Sequence, residues 1–102
     1  MKTHKVEFLE PSLQELREIE NYYSAEFGVT SGKKIAGKIV KAIRKLKKFP
    51  YSGVLIHDKE LSSQGYRTIF IDSFVVVYRI IEEVVYIYHV ASTQTEYTML
   101  FK

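Results

Sequence analysis

The chain has 102 residues, a net charge of +3 and a 46% hydrophobic fraction, which describes one domain with enough apolar material for a core and argues against disorder. It has no cysteine, which excludes disulfides and thiolate chemistry. No stretch is long enough to span a membrane, and MKTHKVEF lacks the apolar run of a signal peptide, so a cytoplasmic location with no membrane partner is expected.

In chain order, Lys5 to Leu9 alternates charged and apolar residues, which suits a first strand. Pro11 fits the first turn of a helix, where its missing N–H costs nothing. Leu13, Leu16, Ile19, Tyr23 and Phe27 recur at helical spacing as a buried stripe, and Gly28 is a stop. Thr30 and Ser31 are expected to cap a second helix, antiparallel to the first, with Ile35, Ile39, Ile43 and Leu46 buried. Phe49-Pro50 ends it, because a residue before proline avoids helical angles. Pro50 to Gln64 reads as a loop.

Three β-rich runs follow: Tyr66–Ile71, Phe74–Ile81 and Val84–Val90. Only Asp72-Ser73 and Glu82-Glu83 interrupt them. Breaks that short join antiparallel neighbours, since a parallel crossover needs a dozen or more residues. The middle run is apolar on both faces, so something must cover the face opposite the helices: a partner or second copy, or the tail from Thr93, which carries Tyr97, Leu100 and Phe101. The expected fold is α+β, a two-layer sandwich ordered strand, helix, helix, three-stranded antiparallel meander.

Charge is unevenly spread. Six of the twelve acids precede Gly28, and none lies between Gly28 and His57, an interval that holds eight of the fifteen basic residues. Lys34, Lys38, Lys41, Lys45 and Lys48 recur on one face of the second helix. They are candidate nucleic-acid-binding residues, or a dock for an acidic segment, or simply a solvated face, and no aromatic interleaves with them to stack a base. The three histidines show no metal-ligand spacing, and no glycine-rich phosphate loop is present, so no metal or cofactor is expected. Arg67, Arg79 and His89 are the polar residues of the strands. With Ile69, Val77 and Ile87 as face-mates, they are expected on the sheet face away from the helices, where arginine can hold a phosphate and histidine or tyrosine can move a proton. Pairing with Asp72, Glu82 or Glu83 is the structural alternative.

The order of elements, Leu46 to Gly53 (LKKFPYSG), Gly65 to Arg67 (GYR), Val75 to Ile80 (VVVYRI) and Glu96 to Phe101 (EYTMLF) together resemble the RelE/ParE superfamily, toxins of bacterial type II toxin–antitoxin modules often called plasmid stabilisation proteins. The resemblance implies a microbial RNase-like fold, a cognate antitoxin as partner, and either a homodimer or a toxin–antitoxin hetero-oligomer. It also implies one of two activities: metal-free cleavage of ribosome-bound mRNA, as an endoribonuclease or mRNA interferase, or inhibition of DNA gyrase by contact. On the first, Arg67, Arg79, His89 and Tyr97 are the catalytic candidates. The chain departs from the family pattern at Val75, where a basic residue is common, at His89, where arginine is frequent, and at Thr95, where the tail usually has arginine. The leading expectation is the mRNA endonuclease, with Tyr97 or His89 as acid or base and Arg67 and Arg79 stabilising the phosphorane; the missing tail arginine favours the alternatives, the gyrase activity or a toxin-derived protein without catalysis that binds an antitoxin.

Overall fold

The computed structural model describes residues 3–101. Strand β1 (Lys5–Phe8) leads into helix α1 (Glu10–Phe27) and helix α2 (Val29–Arg44), which a 3-10 turn (Lys45–Lys47) ends. A short strand β2 (Val54–Leu55) and helix α3 (Lys59–Ser63) precede strands β3 (Tyr66–Ile71), β4 (Phe74–Ile81) and β5 (Val84–Ser92). A 3-10 turn over Tyr97–Phe101 closes the chain. No helix among the described residues is long and apolar enough to cross a membrane.

The strands form one sheet in the order β1-β5-β4-β3-β2. The meander is antiparallel throughout, as the two polar breaks require. Asp72 and Glu82 take left-handed backbone angles at its tight turns (φ 53° and 56°), a conformation an aspartate tolerates better than most residues. β1 runs parallel to β5 at the edge. The α1–α2 hairpin lies on one face of the sheet. There Ile35, Ile39, Ile43 and Leu46 of the expected stripe are buried against Phe74, Val76, Tyr78, Val85 and Ile87. Leu16, Ile19 and Tyr23 of α1 pack on the rim of this core.

Several expectations fail locally. The helices are joined by Gly28 alone, at φ 100° and ψ 157°, which only glycine adopts readily. Thr30 and Ser31 therefore lie inside α2 and do not cap it; the Ser31 hydroxyl donates to the Phe27 carbonyl instead. Phe27 belongs to the stripe by spacing, yet it stands exposed and packs only its ring edge against Tyr23, at 5.5 Å between centroids. The Pro50–Gln64 stretch is not a plain loop. Val54 and Leu55 pair with Thr68 and Arg67 as an edge strand, and Asp58 caps α3 by accepting from the Leu61 N–H at 3.0 Å.

The other sheet face is covered by the protein itself. Ile56, Tyr66 and Val77 form a second small core there, closed by Leu61 of α3, Tyr88, and Tyr97 and Phe101 of the tail. Tyr78 is fully buried in the helix-side core. Its hydroxyl donates to the Pro50 carbonyl (2.8 Å) and accepts from the Gly53 N–H (2.9 Å). A Cβ on Gly53 would lie 2.4 Å from that hydroxyl and 2.7 Å from the Thr68 carbonyl, so no larger residue fits. Burial raises the Tyr78 pKa above its ordinary 10.0, against the lowering effects of the Gly53 N–H and the Arg67 charge. A raised tyrosine pKa means that the contribution to stability is complete below the unfolded value and is lost as pH climbs through the folded one. Denaturant midpoints measured from about pH 8 to about pH 11 should hold steady and then fall above about pH 10, less steeply in Tyr78→Phe than in wild type.

Candidate functional site

The four catalytic candidates do not share a face. Alternation along β3 turns Tyr66 and Thr68 away from the helices and Arg67 toward them, alongside Ile69, which packs in the helix-side core. The expected placement of Arg67 beyond the helices is thus corrected: Ile69 is its face-mate, but that face is the inner one. There Arg67 holds the turn before β2, donating to the Gly53 carbonyl at 2.7 Å and lying 5.1 Å from the Tyr51 ring centre.

Arg79 lies on the outer face with Val77, as expected. Its guanidinium sits over the rings of Tyr66 (4.7 Å) and Tyr88 (5.4 Å) and donates to the Tyr88 hydroxyl at 2.9 Å. Its Nε is buried without a hydrogen-bond partner. Phe101 of the tail closes the group, edge-on to Tyr66 at 4.7 Å and to His89 at 5.2 Å. The Tyr66 pKa is raised, mainly by burial and also by Tyr88, while Arg79 pulls it down. The Tyr66 phenol therefore stays protonated near neutral pH and offers no base.

His89 reaches this face through a bulge. Val77 pairs with His89 but Tyr78 pairs with Ile87, so Tyr88 is the extra residue and the alternation shifts by one. Ile87 points into the helix-side core, and His89 is not its face-mate. The imidazole Nδ1 lies 3.0 Å from Glu15 of α1, whose other oxygen accepts from the Val90 N–H at 3.0 Å. Glu15 thereby closes the edge of β5 where β1 has ended. Sequence reasoning missed it, although its four-residue spacing from Ile19 puts it on the sheet-facing side of α1. Tyr97 is half-buried against the second core.

Two groups therefore exist: a half-covered aromatic box holding Arg79 with His89–Glu15 beside it, and Arg67 on the opposite face. In the box Arg79 is engaged by rings and His89 by a carboxylate, and no group of three His, Asp or Glu side chains gathers among the described residues. The arrangement holds the tail and the strand edge together.

The lysine stripe also divides. Lys34 and Lys38 flank a groove with Tyr23, Phe27 and Asp72, and Lys38 pairs with Asp72 at 2.9 Å. Both partners are about half exposed, so the pair contributes little to stability. Lys41, Lys45 and Lys48 join Arg44 and Lys47 around Phe49. The expectation that no aromatic accompanies the lysines is corrected here, because the helix ends in a turn that brings Phe49 back among them.

The family described as the ParE toxin of the type II toxin–antitoxin system parDE matches residues 6–97. No curated protein matches the chain by sequence. Among solved structures, the chromosomal ParDE toxin–antitoxin system from P. aeruginosa superposes with a TM-score of 0.76 at 16% identity, over 88% of this chain and 96% of the other. The toxin–antitoxin complex RelBE2 from Mycobacterium tuberculosis gives 0.66 at 16% identity, over 88% and 98%. A double arginine-to-alanine mutant of the E. coli toxin RelE in the free state gives 0.65 at 17% identity, over 97% and 90%. At these identities the likeness is one of fold.

Proposed function

This chain belongs to the ParE toxin family of type II toxin–antitoxin systems, and from that premise we propose that it arrests growth by binding its target, DNA gyrase, rather than by cutting RNA. The observation that carries this reading is the separation of the catalytic candidates. Arg67 is tied to the Gly53 carbonyl on the helix side, Arg79 is enclosed by Tyr66 and Tyr88, and His89 is held by Glu15. Cleavage through a ribose 2′-OH needs cations aimed at the developing phosphorane and an acid or base free to move its proton. With Thr95 where the family tail carries arginine, the tail supplies no guanidinium to that face. A surface that acts by contact has no such requirement.

The cognate antitoxin is the expected partner. Its seat in this reading is the open groove between α1 and the end of β5, lined by Glu15, Ile19, Tyr22, Val90, Ala91 and Leu100. The second reading, ribosome-dependent mRNA cleavage, is favoured by Arg79, His89 and Tyr97 lying on one side of the sheet.

Two assays with the purified chain separate these readings. Gyrase supercoiling of relaxed plasmid should be inhibited, and mRNA on stalled ribosomes should remain intact. Cleaved mRNA with normal supercoiling would overturn the gyrase reading in favour of the second. Normal results in both assays would overturn each of them, leaving a protein that binds an antitoxin only.

A further inference from the structure

Beyond its protein target, we propose that the chain binds single-stranded nucleic acid at the turn that ends α2, with Phe49 as the stacking platform and Lys41, Arg44, Lys45, Lys47 and Lys48 as the phosphate contacts. These residues surround an open depression of about 370 Å³ whose lining includes no acid. None of the five cations takes part in an ion pair among the described residues. Lys41, Arg44 and Lys45 follow helical spacing at the end of α2, and the 3-10 turn brings Lys47 and Lys48 to the same depression. The whole interval from Gly28 to His57 lacks an acid, so no carboxylate on the same stretch weakens the field.

Phe49 is the second observation. It is 60% exposed and makes no aromatic contact among the described residues, whereas Tyr22, Tyr23, Tyr66 and Tyr88 are each packed against another ring. Its backbone is nonetheless fixed. The Phe49 N–H donates to the Lys45 carbonyl at 3.0 Å, and the Ser52 N–H donates to the Phe49 carbonyl at 3.1 Å. The Lys47 carbonyl accepts from the His4 N–H at 2.9 Å, which ties the turn to the strand edge. A ring held outward on a rigid turn, ringed by cations, offers an unpaired base both a π-face and neutralisation of its phosphates. A paired base has no exposed face to offer, which is why a single strand is the ligand favoured over duplex. An acidic protein segment would satisfy the cations but would leave the ring without a stacking partner.

The test is fluorescence anisotropy with a labelled oligothymidylate of about 15 nucleotides, using the full chain and neither gyrase nor ribosomes. Its outcome is therefore independent of the target reading. Saturable binding is expected, with a log–log salt slope of about −2 to −3, corresponding to three or four phosphate contacts. The double variant Lys45→Glu/Lys48→Glu should weaken binding more than about tenfold, and Phe49→Ala about tenfold with an unchanged salt slope. Lys34→Glu should leave it unaltered. All these side chains are exposed, and unchanged circular dichroism melts are expected for each variant. Absence of saturable binding at about 50 mM salt would overturn the proposal. So would full affinity in Phe49→Ala, or displacement of the oligonucleotide by polyglutamate at equal charge concentration, which would mark the patch as a dock for an acidic protein.

Discussion

Replacing Tyr78 with phenylalanine is expected to destabilise the fold by about 2–4 kcal/mol, although only one oxygen atom is removed. That oxygen is buried, and two backbone groups depend on it: the Pro50 carbonyl accepts from it and the Gly53 N–H donates to it. Both would be left in an apolar setting without water, at about 1–3 kcal/mol each, partly relieved by movement of the turn. For a domain of this size the thermal midpoint should fall by about 10–20 °C. The control is Tyr22→Phe, an exposed tyrosine on α1 that should cost almost nothing. Equal midpoints for Tyr78→Phe and wild type would show that the Pro50–Gly53 turn is held by Arg67 and Thr68 instead.

Removing the tail after Glu96 should have the next largest effect, a loss of about 3 kcal/mol together with a new apolar surface. Phe101 packs edge-on against Tyr66 and His89, and Tyr97 closes the core of Ile56, Tyr66 and Val77. Without them the outer sheet face, apolar along β4, meets water. The truncated protein should bind the dye ANS strongly and self-associate in light scattering, where wild type does neither. Met99→Ala is the comparison, since Met99 is exposed within the same turn and should change neither reading. A truncated chain with the wild-type midpoint and no dye binding would mean that another part of the protein covers that face.

Local signals made the meander and α2 readable from residues alone. The runs of Val, Ile, Tyr and Phe and the Asp72-Ser73 and Glu82-Glu83 breaks settle three antiparallel strands, and the isoleucines at three- and four-residue spacing settle the buried side of α2. What was not readable depends on distant parts of the chain. Nothing near Lys5 announces a parallel partner at Val84. Val54 and Leu55 become a strand only because β3 leaves an edge to pair with. The bulge opposite Val77 and Tyr78 carries no glycine or proline to mark it, yet it decides which way His89 points. Arg67 was placed on the wrong face because alternation tells which residues travel together without telling which side the helices choose. Glu15 looked like part of a solvated acidic face, and its role emerges only once β1 stops short of β5's end.

The parallel seam between β1 and β5 has a consequence for when the toxin comes into being. Residues 5–8 are made long before residues 84–87, the part of β5 with which they pair. Closing that seam joins segments far apart in the sequence and carries a large loop-closure cost, whereas the hairpins of the meander close cheaply and quickly. The nascent chain therefore carries its helices and its first strand without the sheet they complete. Until β5 has been made, the helices have no complete sheet to cover, and that interval is one in which a neutralising partner can meet the chain before its sheet is closed.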